Sequence, residues 1–264
     1  MSNLQDMLKE IQKNISIKPE PTSYNCEICK DRGYVKAGKD KYGLDKYVPC
    51  KCKIEQRYKQ IIKNSGLGEN LKNYTFDKFE AYSKDLKIAK LICEEFPTNQ
   101  DAKTLLLVGK SGTGKSHLAT ATAKKILEEN KEPLLYYRFR EIMQELKGLT
   151  LDTQNRNNYI GKIKNIKNLY IDDLFKNTDF RNSTEKQYVF EILDYRYSRG
   201  LKTIITSEYS FNQLLKIDEA TAGRLGQMSN GYLINFDNIE NYRSIKLINQ
   251  VDAVRKRIEE QHGL

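Results

Sequence analysis

The sequence lacks the features that would mark a membrane, secreted or repetitive protein. No apolar run approaches the length of a membrane span, and the first residues, Met1 to Asp6, lack the basic-then-apolar order of a signal peptide. No internal repeat and no low-complexity tract is present. We therefore expect a globular protein that acts in the cytoplasm and has no membrane partner.

Cysteine is also scarce, and four of the five cysteines fall into two close pairs. Cys26 and Cys29 form the first pair, and Cys50 and Cys52 follow after a polar, turn-rich stretch of twenty residues. Two such pairs suit tetrahedral Zn²⁺ held by four thiolates. The alternative, two disulfides, is disfavoured under reducing conditions. We predict that these four cysteines bind a structural zinc ion.

Acidic residues are outnumbered by basic ones, 35 against 45, which leaves a net charge of +10. Residues 1–75 carry 15 basic and 9 acidic side chains, so +6 of the excess lies there. Such a surface indicates either a nucleic-acid partner or an ordinary solvated surface. The N-terminal apolar spacing predicts an amphipathic helix that packs either on its own domain or on a partner protein; its residues are Leu4, Met7, Leu8, Ile11 and Ile15.

The strongest motif is a phosphate-binding loop between an apolar strand, Thr104 to Val108, and a helix that starts near Lys115. Its glycines let backbone N–H groups approach phosphates, while Lys115 reaches the β and γ oxygens and Ser116 holds Mg²⁺. The alternative is a glycine-rich turn that binds nothing. The predicted ATP-binding residues of this segment are Gly109, Lys110, Ser111, Gly112, Thr113, Gly114, Lys115, Ser116 and His117.

Four further apolar runs alternate with helical segments, which is typical of an α/β protein with a parallel sheet. They are Leu134 to Phe139, Asn168 to Ile171, Lys202 to Thr206 and Tyr232 to Phe236. The third predicted strand ends in Asp172 and Asp173. A carboxylate pair there fits a site in which Asp172 binds Mg²⁺ and Asp173 orients the attacking water. The alternative is a helix cap, since Asp often follows a strand.

These motifs, in this order and spacing, make the chain similar to the AAA+ helicase loaders of the DnaC and DnaI type and to the IstB transposition ATPases. The resemblance also rests on Tyr74 to Phe79, Ser207 to Ser210, Ala222 to Leu225 and Phe236 to Arg243. It implies an AAA+ P-loop NTPase with a five-stranded parallel sheet flanked by helices, plus a small N-terminal zinc module. The domain limits expected are 1–62 for the helicase-binding module, 63–75 for a linker and 76–264 for the ATPase domain.

The resemblance also implies roles for two arginines. Arg224 corresponds to the arginine finger that a subunit donates to its neighbour's γ-phosphate, the alternative being a surface arginine. Arg243 corresponds to a late arginine that senses nucleotide, with a non-binding role equally open. The catalytic set expected is therefore Lys115, Asp172, Asp173 and Arg224, and ATP also contacts Ser207, Glu208 and Arg243.

Glu208 departs from the family pattern, which has an amide at this strand end. An ionised carboxylate cannot donate a hydrogen bond and repels phosphate oxygens. Either Ser207 or Thr206 takes over the contact, or hydrolysis is slow. The resemblance implies a loader that binds ATP and single-stranded DNA, the latter through basic and aromatic residues of 138–168, self-associates through the ATP site and delivers a replicative hexameric helicase. The alternatives are a transposition ATPase and a zinc adaptor that does not hydrolyse ATP.

Overall fold

A computed structural model describes residues 23–178 and 183–262. The predicted N-terminal amphipathic helix lies outside the described residues. The chain divides into two compact units between Arg57 and Tyr58. Among the described residues, no helix is long and apolar enough to cross a membrane.

The first unit contains an antiparallel hairpin between the two cysteine pairs, where the sequence indicated a loop. Strands β1 (Tyr34–Lys39) and β2 (Asp45–Pro49) pair with Val35 opposite Val48. The turn between them is fixed by Asp40, whose Oδ1 accepts hydrogen bonds from the backbone N–H groups of Tyr42 and Leu44. This local closure brings two mostly exposed strands into register without an apolar core. Helix α1 (Lys51–Asn64) follows directly.

The second unit is an α/β domain built on a five-stranded sheet. Its strands are β3 (Thr104–Val108), β4 (Leu134–Arg138), β5 (Asn168–Asp172), β6 (Lys202–Ser207) and β7 (Leu233–Asn235). The order across the sheet is β4-β5-β6-β3-β7, and every neighbouring pair is parallel. The predicted strands and the predicted fold class are confirmed.

Helices connect these strands and cover both faces of the sheet. Before β3 lie α2 (Asn70–Asn73) and α3 (Lys84–Glu95), and after it comes α4 (Lys115–Lys125), which continues as a π-helical turn (Ile126–Asn130). The remaining helices are α5 (Phe139–Gly148), α6 (Thr153–Asn165), α7 (Ser183–Ser198), α8 (Phe211–Ile217), α9 (Glu219–Ser229) and α10 (Tyr242–His262).

The sheet is buried on both faces, which explains why its strands read as continuous apolar runs. In β3, Leu105 and Leu107 pack in one core cluster, while Leu106 and Val108 pack in the other. The first cluster also contains Leu67 and Leu71, from the segment predicted to be a linker. The limits 1–62, 63–75 and 76–264 stay a prediction.

A buried arginine holds together the end of the sheet at which strands β5 and β6 begin, opposite the phosphate loop. The Arg196 side chain on α7 is fully buried. It donates hydrogen bonds to Thr203 Oγ1 at 2.9 Å and to the main-chain carbonyls of Ile163, Lys164, Ile166, Lys167 and Lys202. These contacts tie the C-terminal end of α6 to the first residues of β5 and β6, the strands whose other ends carry the acidic residues of the site.

Candidate functional site

The phosphate loop lies between β3 and α4, as the sequence predicts. Gly109, Gly112 and Gly114 all adopt positive φ angles, of 113°, 77° and 98°. Of these, Gly109 has the clearest steric reason, because a Cβ there would lie 2.8–2.9 Å from backbone atoms of Asp237 and Phe236. Helix α4 begins at Lys115, so its first N–H groups point back into the loop and favour an anion there.

Lys115 is buried inside this loop. Its Nζ donates hydrogen bonds of 2.6 Å to the carbonyls of Gly109 and Lys110. Burial lowers the pKa of Lys115, while the negative charges of Glu208, Asp173 and Asp172 act in the opposite direction. The Lys110 carbonyl also accepts a 2.9 Å hydrogen bond from Thr113 Oγ1. The loop thus holds an ammonium group by its own backbone, facing a group of carboxylates.

Asp172, at the end of β5, is the centre of a network of hydroxyl groups. Its Oδ1 accepts hydrogen bonds from Ser116 Oγ at 2.9 Å, from Tyr170 at 3.1 Å and from Thr206. Tyr136 donates to Oδ2 at 3.3 Å, and burial raises the pKa of Tyr136 to about 12, so this hydroxyl keeps its proton. The pairing of Ser116 with Asp172 unites the two residues predicted to hold magnesium, and a hydroxyl and a carboxylate are ligands that Mg²⁺ accepts.

Asp173 begins a tight turn at φ +57° and shares a cation with Glu208. Lys176 Nζ lies 2.9 Å from Asp173 Oδ2 and 2.8 Å from Glu208 Oε1. Burial would lower the pKa of Lys176, but the hydrogen bonds to Glu208 and Asp173 outweigh it and raise the pKa. Sequence reasoning missed Lys176. Its spacing of three residues from Asp173, together with the unusual Glu208, was the available signal.

The hydroxyl groups proposed to substitute for an amide at this strand end have other partners. Thr206 donates to Asp172 and accepts a 2.9 Å hydrogen bond from the backbone N–H of Asp173. Ser207 donates to the carbonyl of Leu174 at 3.0 Å. Both residues are fully buried. These hydroxyls therefore fix the chain that follows β5.

A cavity of about 280 Å³ opens over the loop. Its lining brings together residues from both ends of the domain: Tyr74, Ser111, Gly112, Gly114, Lys115, Ser116, His117, Asp173, Lys176, Glu208, Tyr242 and Arg243. The predicted residue Arg243 thus faces the same space as Lys115. His117 packs against Tyr74 and Phe79, with ring centroids 5.1 and 5.2 Å away, and its Nε2 donates to the Thr75 carbonyl at 2.8 Å.

The segment after β7 lies across the tip of the phosphate loop. Asn241 Nδ2 donates to the carbonyl of Ser111 at 3.1 Å, and the backbone N–H of Tyr242 donates to the carbonyl of Gly112 at 2.9 Å. Asn241 Oδ1 in turn accepts from the N–H of Arg243 at 2.9 Å. Sequence reasoning included Asn241 and Tyr242 in a family motif without giving them a role, because their partners lie 130 residues away.

Arg224 lies on α9 and is absent from the described residues that line the cavity. Its Nε lies 2.7 Å from Asp194 Oδ1, and its guanidinium lies over the ring of Phe190 at 4.7 Å. About a third of the side chain is exposed. The structure thus leaves Arg224 at the surface, away from the phosphate loop of its own chain.

The four predicted zinc ligands converge in the first unit. The sulfurs of Cys26, Cys29, Cys50 and Cys52 all lie within 4.8 Å of one another, with 3.8 Å between Cys26 and Cys50 and 3.4 Å between Cys29 and Cys52. A tetrahedral zinc site with bonds of about 2.3 Å requires sulfurs about 3.8 Å apart. Backbone hydrogen bonding at Cys29 lowers the pKa of Cys26 to about 7, whereas the hydrogen bond with the Cys29 thiol raises the pKa of Cys52 to about 12. The cluster is therefore compatible with zinc.

Part of the predicted DNA-binding segment is engaged in local contacts on α5 and α6. Lys147 lies 2.6 Å from Glu185, and Lys164 lies 2.5 Å from Glu191. Arg156 donates to the carbonyl of Thr150 at 3.0 Å. These lysines are therefore partly neutralised by acidic neighbours on α7.

Comparison with known proteins gives a consistent group of relatives. Residues 55–221 match the family model described as IstB-like ATP binding protein. The phage-like element PBSX protein XkdC of Bacillus subtilis is 26% identical over 226 residues, which cover 81% of this chain and 83% of that protein. The replicative helicase loader DnaC of Buchnera aphidicola (subspecies Acyrthosiphon pisum) is 30% identical over 153 residues, covering 56% of this chain and 60% of that one.

Solved structures agree with these sequence relatives. A crystal structure of the DnaC helicase loader superposes with a TM-score of 0.52 and 26% identity, covering 66% of this chain and all of that one. A crystal structure of DnaI superposes with a TM-score of 0.53 and 22% identity, covering 64% of this chain and 91% of that one. The α/β domain therefore has the fold of AAA+ P-loop proteins.

Proposed function

Because this chain belongs to the family of IstB-like ATP binding proteins, we propose that it is an ATP-dependent loader of a replicative hexameric helicase. The observation that carries the ATPase part is the convergence of Lys115, Ser116 and Asp173 on one cavity, with Asp172 hydrogen-bonded to Ser116 behind it. The DnaC and DnaI relatives support the loader part, since DnaC is described as a replicative helicase loader.

The residues divide into binding and catalytic roles. The backbone N–H groups of residues 109–116 and the ammonium of Lys115 bind the phosphates, so Lys115 exchanges its two carbonyl partners for phosphate oxygens. Ser116 and Asp172 are suited to hold Mg²⁺, which when bound neutralises charge on the phosphates. Asp173 accepts a hydrogen bond from the attacking water and orients it toward the γ-phosphorus. Arg224 completes the site of a neighbouring subunit.

Lys115→Ala tests the nucleotide site. We expect it to abolish Mg-ATP binding measured by calorimetry, because the ammonium group of Lys115 is the one that the Gly109 and Lys110 carbonyls hold in the loop where the phosphates bind. Lys87→Ala, which removes an exposed lysine on α3, serves as the control and keeps the wild-type affinity. Normal ATP affinity of the Lys115 variant contradicts the assignment.

The exposed surface of the first unit supports the proposed contact with a helicase. Its exposed apolar side chains include Ile28, Tyr42, Leu44 and Tyr47, which are 61–75% exposed. Three of them, Tyr42, Leu44 and Tyr47, belong to the β1–β2 hairpin, and we take this group of exposed apolar side chains as the surface that contacts the helicase. We expect a Tyr42→Ala/Leu44→Ser variant to lose the complex with a replicative helicase hexamer in native mass spectrometry and to keep ATP binding. An unchanged complex excludes this surface as the contact.

A transposition ATPase remains the second candidate, because the family model that matches is named for IstB. The two differ in their nucleic acid and partner. A loader binds single-stranded DNA and a helicase, whereas a transposition ATPase binds duplex DNA and a transposase. ATP turnover measured with each DNA form separates them, and an absence of turnover under every condition favours the zinc adaptor.

A further inference from the structure

Hydrogen bonds fix the backbone of Lys176 at the end of the sheet. It lies in the turn after β5, where its N–H donates to the Asp173 carbonyl at 3.0 Å. The neighbouring Leu174 N–H donates to the Thr206 carbonyl at 2.8 Å, and the Leu174 carbonyl accepts from Ser207 Oγ at 3.0 Å. Leu174 itself is fully buried. The turn therefore fixes the backbone of Lys176 relative to the acidic strand ends.

The same turn places a second ammonium group opposite that of Lys115. Both lysines line the cavity over the phosphate loop. Lys176 is about 39% exposed and lies within 3 Å of both Asp173 and Glu208, whereas Lys115 is buried in the loop. The cavity thus has one cation at the loop and another at the strand ends.

Glu208 creates a specific electrostatic problem here. Burial would raise its pKa, but hydrogen bonds from Lys176 and from the Ser111 hydroxyl outweigh this effect and lower it, so the carboxylate stays charged. A charged carboxylate beside the phosphate loop repels a triphosphate more than a diphosphate, because the triphosphate carries more negative charge. A cation at this position is needed to reverse that bias.

We propose that Lys176 binds the γ-phosphate of a nucleoside triphosphate, with Glu208 as its positioning residue, and so makes the site prefer triphosphate over diphosphate. This deepens the proposed ATPase function and rests on it. The ammonium moves from the two carboxylates to the third phosphate, which also frees Asp173 to accept a hydrogen bond from water. Lys176 and Glu208 together then do what a neutral amide does at this strand end.

The test compares the dissociation constants of ATP and ADP in the full-length protein, measured by calorimetry with Mg²⁺. We expect Lys176→Met to weaken ATP binding by about tenfold to hundredfold, the value of a hydrogen bond between charged groups, and ADP binding by less than about threefold. Lys176→Arg keeps the preference for ATP. Lys87→Met, at an exposed position on α3, is the matched control.

A second variant separates direct contact from simple neutralisation of Glu208. If Lys176 binds the phosphate, Lys176→Met/Glu208→Met, which removes both charges and supplies no amide donor, still binds ATP and ADP without the wild-type preference. A return of that preference in the double variant overturns the contact, as does a wild-type ratio in Lys176→Met. If the wild-type protein binds neither nucleotide, the ATP site is overturned as well. If the ATP and ADP dissociation constants behave as expected but the protein does not bind a helicase, only the loader function is overturned.

Discussion

Replacing the buried Arg196 by methionine tests how the acidic strand ends are held in place. The side chain is fully buried and lies among main-chain carbonyls where strands β5 and β6 begin, at the end of the sheet opposite the phosphate loop. Methionine fills a similar space with no donor. The variant therefore removes hydrogen bonds without opening a large cavity, and it touches no residue that lines the ATP cavity.

The size of the effect follows from the contacts. Four carbonyls lie 3.2 Å or less from the guanidinium nitrogens, those of Ile163, Lys164, Ile166 and Lys202. At about 1.5 kcal/mol for each hydrogen bond to a charged group, their loss costs about 6 kcal/mol. The variant no longer buries a positive charge, which returns several kcal/mol. We expect a net decrease of about 3 kcal/mol in the free energy of unfolding.

Urea denaturation followed by circular dichroism measures this decrease, since the chain has no tryptophan for fluorescence. With a slope of roughly 3 kcal/mol per molar urea, the midpoint falls by about 1 M. Arg199→Met is the matched control, because Arg199 is exposed on the turn just after the same helix. Equal midpoints for the two variants would refute the reasoning.

Three further outcomes follow from the structure. Arg224→Ala keeps ATP binding and loses the hydrolysis stimulated by single-stranded DNA or helicase, measured as phosphate release; unchanged stimulation removes the finger role. Cys52→Ser lowers zinc, measured by mass spectrometry, from one ion per chain to well below one and leaves ATP binding intact; full zinc content contradicts the four-thiolate site. Burial lowers the pKa of His117 below 6.5, although its hydrogen bond to the Thr75 carbonyl acts in the opposite direction. The unfolded chain therefore binds a proton at this residue more readily than the folded chain does. The free energy of unfolding therefore falls as pH drops below about 6.5, and the fall measured by urea denaturation is smaller in His117→Gln; an equal fall excludes His117 as the cause.

The sheet could be predicted because burial on both faces leaves a plain signal. Leu105, Leu106, Leu107 and Val108 are all fully buried, so β3 has no polar face to interrupt the apolar run. The hairpin of the first unit carried no such signal. Its strands are mostly exposed, and the turn at Asp40 rather than a hydrophobic pattern holds them together.

The spacing of the second cysteine pair also has a structural reason that sequence reasoning lacked. Helix α1 begins at Lys51, so Cys50 immediately precedes the helix and Cys52 lies in its first turn. Because the helix begins between them, Cys50 and Cys52 both lie at its N-terminal end, where their thiols meet those of Cys26 and Cys29. The Cys50-Lys51-Cys52 spacing is thus an outcome of helix geometry.

The parts of the ATP site that could not be predicted all depend on contacts between distant segments. The pattern around residues 109–116 identified Lys115 and Ser116 because the whole phosphate loop is one continuous segment of the chain. The contact of Asn241 with Ser111 joins positions 130 apart, and that of Lys176 with Glu208 joins positions 32 apart. No periodicity relates such pairs, so the contacts themselves are visible only in the folded chain.

The ion pair of Arg224 with Asp194 also bears on the proposed assembly. An arginine finger must leave its partner to reach another subunit, and the cost of leaving depends on burial. Here the arginine side chain is 34% exposed and the carboxylate 43% exposed, and ion pairs at that exposure contribute about 1 kcal/mol or less. A bidentate hydrogen-bonded pair between a guanidinium and a phosphate contributes more binding free energy than that. The contact with Asp194 therefore keeps Arg224 oriented at the surface of one chain without preventing the transfer to a neighbouring subunit's nucleotide that we propose for it.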